Sequence, residues 1–184
     1  MTRETPPEKR IGLLGGSFNP AHKGHLHITK AALKRLKLDE VWWLVTPQNP
    51  LKPAKDMAPL SARLKSAEEI IAGAKKYKDK IIASDMERKL ATIYTSDTIQ
   101  QLKKKHPKIE FVWLMGADNL LQLDKWHNWE RIPQMVEVHV FDRNKHYKEA
   151  MKCEAYTKYK DRITYHKIRK NPLSSTLIRA SFLN

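Results

Sequence analysis

The run Gly15-Gly16-Ser17-Phe18-Asn19-Pro20-Ala21-His22-Lys23-Gly24-His25 contains the residue types that can handle a polyphosphate. Two histidines three apart at the entrance to a helix turn their side chains to the same side. Imidazoles placed there can donate to phosphate oxygens as negative charge builds on them in a transition state. The glycines let the main chain come close to a ligand. The helix start adds unpaired N–H groups and the positive end of a dipole. His27 falls on another face of the helix and reads as an ordinary residue. Zinc is the rival chemistry for the histidine pair, but no further His, Cys and Glu cluster shows ligand spacing, and Cys153 stands alone. The turn also lacks the Lys-Ser/Thr ending of a P-loop and the third glycine of a dinucleotide fingerprint. That argues against a P-loop kinase and against a hydride-transferring dehydrogenase.

A second group lies near the other end of the chain, Leu173-Ser174-Ser175-Thr176-Leu177-Ile178-Arg179. Three hydroxyls opening a helix are ordinary capping chemistry. The same hydroxyls and free N–H groups also suit phosphate, and Arg179 follows one helical turn later. A guanidinium there can add a forked, charge-assisted bond to a β- or γ-phosphate.

These residues need a scaffold, and the hydrophobic pattern supplies one. Ile11-Gly12-Leu13-Leu14, Val41 to Val45, Lys80 to Ala83, Ile109 to Met115, Val136 to Phe141 and Ile163 to Ile168 read as six strands. Between them, apolar residues at helical spacing predict a helix from near His25 through Leu36, and another from Leu60 through Ala74 with Ser61 as a cap. A third is capped by Thr95 or Ser96 and ends before His106-Pro107. A short helix from Ser175 to Phe182 closes the chain. Strands alternating with helices predict an α/β fold: a Rossmann-like, doubly wound parallel sheet in a three-layer α/β/α sandwich. Ligands in such sheets sit beyond the carboxyl ends of the strands. The Gly15–His25 turn, Pro47 to Lys52, Gly116 to Asn119 and Arg143 all follow strands, so they are expected to gather at one edge. No repeat or linker divides the chain. One domain over residues 10–184 is expected, with residues 1–9 as a flexible tail.

Length and composition agree with this. The chain has 184 residues, 41% of them hydrophobic, enough for one domain with a sizeable core. A single cysteine fits a reducing cytoplasm. The polar first ten residues lack the apolar centre of a secretory signal, and no run approaches the ~20 apolar residues that span a membrane. The net charge of +15 attracts anions generally. Its lysines lie in separated clusters, at residues 75–78, 103–105 and 167–170, which read as solvated helix ends and loops.

The two end segments together resemble the GxFxPxHxGH turn and the ISSTxxR helix of the nucleotidyltransferase superfamily. The intervening segments resemble those of bacterial-type nicotinate-mononucleotide adenylyltransferases. Pro47-Gln48-Asn49-Pro50-Leu51-Lys52 is similar to their PxxNPxK loop. Ile93-Tyr94-Thr95-Ser96-Asp97-Thr98 is similar to their SYTxDT segment, with Ile93 in place of serine. Gly116-Ala117-Asp118-Asn119 followed by Trp126 looks like their GxD(S/N) loop and downstream tryptophan. Arg143 matches their RxG-type arginine, although Asn144-Lys145 replaces the expected small residues. Asn19 for aspartate and Leu173 for isoleucine are further departures.

That resemblance implies transfer of AMP from ATP to nicotinate mononucleotide, with Mg²⁺ accompanying ATP. It implies His22 and His25 as catalytic residues. Gly15, Gly16, Ser17, Phe18, Asn19, Gly24, Asp118, Ser175, Thr176 and Arg179 join them in holding ATP. Asn49, Lys52, Tyr94, Thr95, Trp126 and Arg143 are implied on the nicotinate-mononucleotide side. No protein ligand to a metal is implied, and the partners are small molecules, with a homo-oligomer left open. Two rival readings remain. The sibling phosphopantetheine adenylyltransferases share both end motifs, but tend to be shorter and lack the Asn49–Lys52 loop and the Gly116–Trp126 segment. A basic nucleic-acid-binding protein would use the positive surface and make no chemical demand on His22.

Overall fold

The computed structural model describes residues 6–48, 57–142 and 146–168. Six strands form one sheet: β1 (Lys9–Gly16), β2 (Glu40–Val45), β3 (Ile81–Ser84), β4 (Ile109–Gly116), β5 (Glu137–Asp142) and β6 (Ile163–Lys167). Their spatial order is β3-β2-β1-β4-β5-β6, and every adjacent pair is parallel. The order reverses between β1 and β4, which opens a crevice at their carboxyl ends. The expected doubly wound α/β sheet is the observed one. The expected helix Ser175–Phe182 lies outside the described residues.

Alternation along the strands divides the core into two layers. Ile11 and Leu13 of β1, Phe111, Trp113 and Met115 of β4, and Val138 and Val140 of β5 face one side. Leu14, Val112, Leu114 and Phe141 face the other. The second side is covered by α1 (Lys23–Arg35) and α2 (Leu60–Ala72). The first is covered by α4 (Thr95–Lys105), α5 (Ala117–Leu120), α6 (Arg131–Met135), α7 (Tyr147–Ala150) and α8 (Glu154–Lys158), while α3 (Met86–Lys89) follows β3. A strand buried on both faces reads as a continuous apolar run, and β4 is fully buried from Phe111 to Gly116.

The helix starts differ from the expectations. Ser61 is not the cap of α2: the helix begins at Leu60 after Pro59, with no side-chain cap bond. Neither Thr95 nor Ser96 caps α4. Tyr94 holds the cap position, again with no side-chain bond, and the Ser96 hydroxyl donates to the His127 carbonyl instead (3.3 Å). At α4 a tertiary partner thus takes the hydroxyl that the local sequence offers as a cap. The sheet also reaches further back than Arg10, because β1 begins at Lys9 and the Glu8 N–H donates to the Lys108 carbonyl (2.9 Å). The short helices α3 and α5 to α8 carry too few turns to show a helical period in sequence.

Ion pairs close the amino-terminal edge of the sheet. Arg10 donates to Glu110 of β4 and Glu137 of β5, both at 2.9 Å, and to the Leu36 carbonyl beyond α1 (2.9 Å). On β5 and β6, His139 Nδ1 lies 3.0 Å from His166 Nε2, while His139 Nε2 lies 3.3 Å from Glu137. Burial lowers both imidazoles, and that of His166 falls to about 4, with His139 and Arg35 adding to the shift. Glu87 of α3 is the opposite case. It is 3% exposed, and one carboxyl oxygen has no partner among the described residues. Burial pushes this carboxyl up to about 7, against an opposing hydrogen bond from Thr46.

Two stability predictions follow from these shifts. A histidine with a lowered folded pKa contributes stability that is present above pH 6.5 and lost as pH falls towards 4. Thermal melts should therefore show Tm falling by about 2–4 °C across that window for each kcal/mol lost, with a shallower dependence in His166→Phe. Glu87 has a raised folded pKa, so its contribution is intact below pH 4.5 and lost as pH rises through about 7. Glu87→Gln should raise stability at pH 8, by up to about 3 kcal/mol, and leave it unchanged at pH 4, as read by urea unfolding at the two pH values.

Candidate active site

The glycine-histidine turn leaves β1 at the switch point. Its backbone is held on one side by β2, where the Thr46 N–H donates to the Gly16 carbonyl (3.0 Å). On the other side α2 and the residues before it hold the turn. Ala21 N–H donates to Ser66 Oγ (3.2 Å), and Ala58 N–H donates to Asn19 Oδ1 (3.3 Å). Phe18 has a φ of 48° and is buried at 1% exposure, with its ring 5.1 Å from Trp43 and 4.5 Å from His25. Ser17 and Asn19 are buried as well. These three side chains build the turn from inside.

Gly15 has a packing reason to be glycine. A Cβ at this position would come within 2.5 Å of the Trp113 ring, which lies across β1 from β4. Trp113 in turn meets Trp126 edge-on, with ring centroids 6.4 Å apart. The loop expected to face an acceptor is thus linked to the glycine turn through one indole.

His22 and His25 meet at a ring distance of 3.9 Å and cap α1 reciprocally. His22 Nδ1 accepts from the Gly24 N–H (3.0 Å), and His25 Nδ1 accepts from the His22 N–H (3.2 Å). The arrangement is a capping box in which imidazoles stand where Ser/Thr and Glu/Gln usually do. An accepting ring nitrogen carries no proton, so the neutral tautomer that fits has the proton on Nε2 in both rings. The cap thereby leaves Nε2 as the protonated nitrogen of each neutral ring. Thr29 holds the helix behind them. Its hydroxyl donates to the His25 carbonyl (2.9 Å) and accepts from Trp43 Nε1 (2.8 Å).

Two further expected segments lie at the same carboxyl edge. Asp118 is in the first turn of α5, its carboxylate folded back over Gly116, where any Cβ would clash with it. Tyr94 and Thr95 begin α4. The cap residue Tyr94 makes no side-chain bond to the first N–H groups of that helix, and such groups suit an anion. Tyr94 stacks on His127 at 4.1 Å, next to Trp126, so the α4 start and the tryptophan loop form one wall. Asn49, Lys52, Arg143, Ser175, Thr176 and Arg179 lie outside the described residues. Among the described residues, no group of three or more His, Cys, Asp and Glu side chains stands ready to hold a metal ion, and no helix is long and apolar enough to cross a membrane.

One residue of the site was not anticipated. Arg63, in α2, is 2% exposed and donates to four main-chain carbonyls: Ala58, Ser17, Thr46 and Pro47. The signal was present in the sequence, since Arg63 falls on the stripe formed by Leu60, Leu64, Ala67 and Ile71. A charged residue on an apolar helix face requires buried partners.

The chain is similar to known proteins. A protein of Parvibaculum lavamentivorans named "Probable nicotinate-nucleotide adenylyltransferase" is 52% identical over 137 residues, covering 74% of this chain and 66% of the relative. A Gluconobacter oxydans protein of the same name is 52% identical over 134 residues, covering 73% and 66%. The matched region thus spans just under two thirds of each relative. In fold, the chain superposes on the Plasmodium falciparum nicotinic acid mononucleotide adenylyltransferase complexed with NaAD. The TM-score is 0.79 at 21% identity, over 94% of this chain and 83% of that one. The family model described as Cytidylyltransferase-like matches residues 13–181, and the chain belongs to that family.

Proposed function

We propose that the protein transfers AMP from ATP to nicotinate mononucleotide, producing nicotinate adenine dinucleotide and pyrophosphate. The observation that carries the reading is the reciprocal histidine cap at the β1–β4 switch point, which makes Nε2–H of His22 and His25 the donors. The choice of acceptor draws on the relatives at 52% identity and on the wall of Tyr94, Thr95 and Trp126.

The phosphate of the acceptor is already an anion, so it attacks the α-phosphorus without a general base. A bond forms between that oxygen and the α-phosphorus, the bond to the bridging oxygen of the β-phosphate breaks, and pyrophosphate leaves with the electron pair. Positioning and neutralisation of charge provide the rate. His22 and His25 donate to the oxygens of the transferring group. Ser175, Thr176 and Arg179 hold the β- and γ-phosphates, and Asp118 orients the nucleotide. Mg²⁺ accompanying ATP would be held chiefly by phosphate and water and would neutralise part of the phosphate charge. On the acceptor side, Trp126 stacks on the pyridine ring. The uncapped N–H groups at Tyr94 and Thr95 receive its carboxylate, Lys52 and Arg143 serve its phosphate or the closing loop, and Asn49 is a further acceptor-side residue.

A pyrophosphate-release assay with ATP and a panel of acceptors tests the reaction. Nicotinate mononucleotide should be the preferred acceptor over nicotinamide mononucleotide and 4′-phosphopantetheine. Equal use of the amide would sink the assignment. His22 permits a sharper test, because its capping and chemical roles can be separated. Asparagine is a good helix cap, so His22→Asn should keep the wild-type melting temperature, whereas His22→Ala loses about 1 kcal/mol. Both should lose roughly 100-fold or more in kcat, as when one transition-state donor is removed.

A further inference from the structure

Arg63 places a charge where a charge is expensive. Its guanidinium is buried, burial lowers its pKa, and no carboxylate pairs with it among the described residues. Packing α2 on the sheet does not call for this, since an apolar residue of similar volume would pack at lower cost. The partners supply the reason. Nε donates to the Ala58 carbonyl (2.8 Å), Nη1 to those of Ser17 (2.8 Å) and Thr46 (2.6 Å), and Nη2 to that of Pro47 (2.7 Å).

These carbonyls belong to three separate stretches of chain. Ser17 lies in the turn that ends at His22. Thr46 and Pro47 form the exit from β2, two residues before Asn49. Ala58 leads into α2. One planar fork therefore joins the donor-phosphate turn to the segment entering the expected acceptor loop. The Thr46 N–H bond to the Gly16 carbonyl tightens the same joint from the other side. Lysine would keep the charge and lose the fork, because a single ammonium cannot reach four carbonyls in this arrangement.

We propose that Arg63 is a positioning residue for group transfer, holding the His22/His25 turn in register with the β2 exit that leads to the acceptor. The identity of the substrates rests on the adenylyl-transfer reading above; the joint itself does not. In an in-line displacement, a small misplacement of the groups around the α-phosphorus lowers the rate while each substrate still binds.

The test compares wild type with Arg63→Lys and Arg63→Ala, and with Val138→Ala, a core truncation in β5 that reports what lost stability alone does. Folded fractions are matched by circular dichroism. Arg63→Lys should lose roughly 100-fold in kcat, with KM for ATP and for nicotinate mononucleotide each within about fivefold of wild type. Millimolar guanidinium should restore part of the turnover of Arg63→Ala, and Val138→Ala should keep kcat within about threefold. A folded Arg63→Lys with near-normal kcat overturns the proposal. So does an equal loss in Val138→Ala, or an effect confined to KM for one substrate. If the wild type turns over no acceptor, the functional reading fails, and the joint is read by long-range ¹H–¹⁵N spectra of the histidine rings. The His22 and His25 signals should shift in Arg63→Lys; unchanged signals overturn the proposal whatever the reaction is.

Discussion

β1 is hydrogen-bonded along both edges, to β2 from Ile11 through Gly16 and to β4 from Lys9 through Leu14. A strand held in this way cannot slip by one residue without turning Leu13 and Leu14 to the wrong layers. Its carboxyl end is therefore fixed, and the glycine-histidine turn starts from a fixed point. Close packing across the strand depends on the same register. Trp113 can lie over Gly15 only because that position has no Cβ, and Trp126 then rests against Trp113. The sheet's central strand thus sets both the glycine-histidine turn and, through one indole, the opposite wall.

In the histidine cap the two nitrogens of each ring are divided, Nδ1 serving the helix start and Nε2 carrying the proton of the neutral ring. A helix start leaves N–H groups to be satisfied. His22 and His25 satisfy two of them through Nδ1, which fixes the tautomer at each ring. Serine and glutamate in the usual capping box would hold the helix equally well and offer an approaching phosphate no ring N–H. On the adenylyl-transfer reading proposed above, histidine at both positions meets the two demands together.

Much of this was legible in the sequence, for reasons that differ by element. All six strands could be read because each carries a short apolar run. α1, α2 and α4 could be read because 11 to 13 residues show a helical period. The four- and five-residue helices were not legible, since so short a segment has no period to detect. Caps were misread at Ser61 and at Thr95 or Ser96. A hydroxyl near a helix start signals a cap only if no tertiary partner competes, and the His127 carbonyl claims Ser96. At Gly15 the close contact with the Trp113 ring is a further reason for glycine, one that no local pattern shows.

The sequence by itself determined the alternation of strands and helices, the parallel sheet, and the residues of the turn, because these depend on local composition and short spacings. Tertiary structure alone decided the strand order with its reversal between β1 and β4, the Trp113 bridge and the Arg63 joint. Each of these depends on contacts between segments far apart in the chain. Arg63 meets Ser17 across 46 positions, a pairing that no local pattern encodes. The charge on the apolar stripe of α2 announced that a buried partner must exist, and only the folded chain could supply four carbonyls at one point.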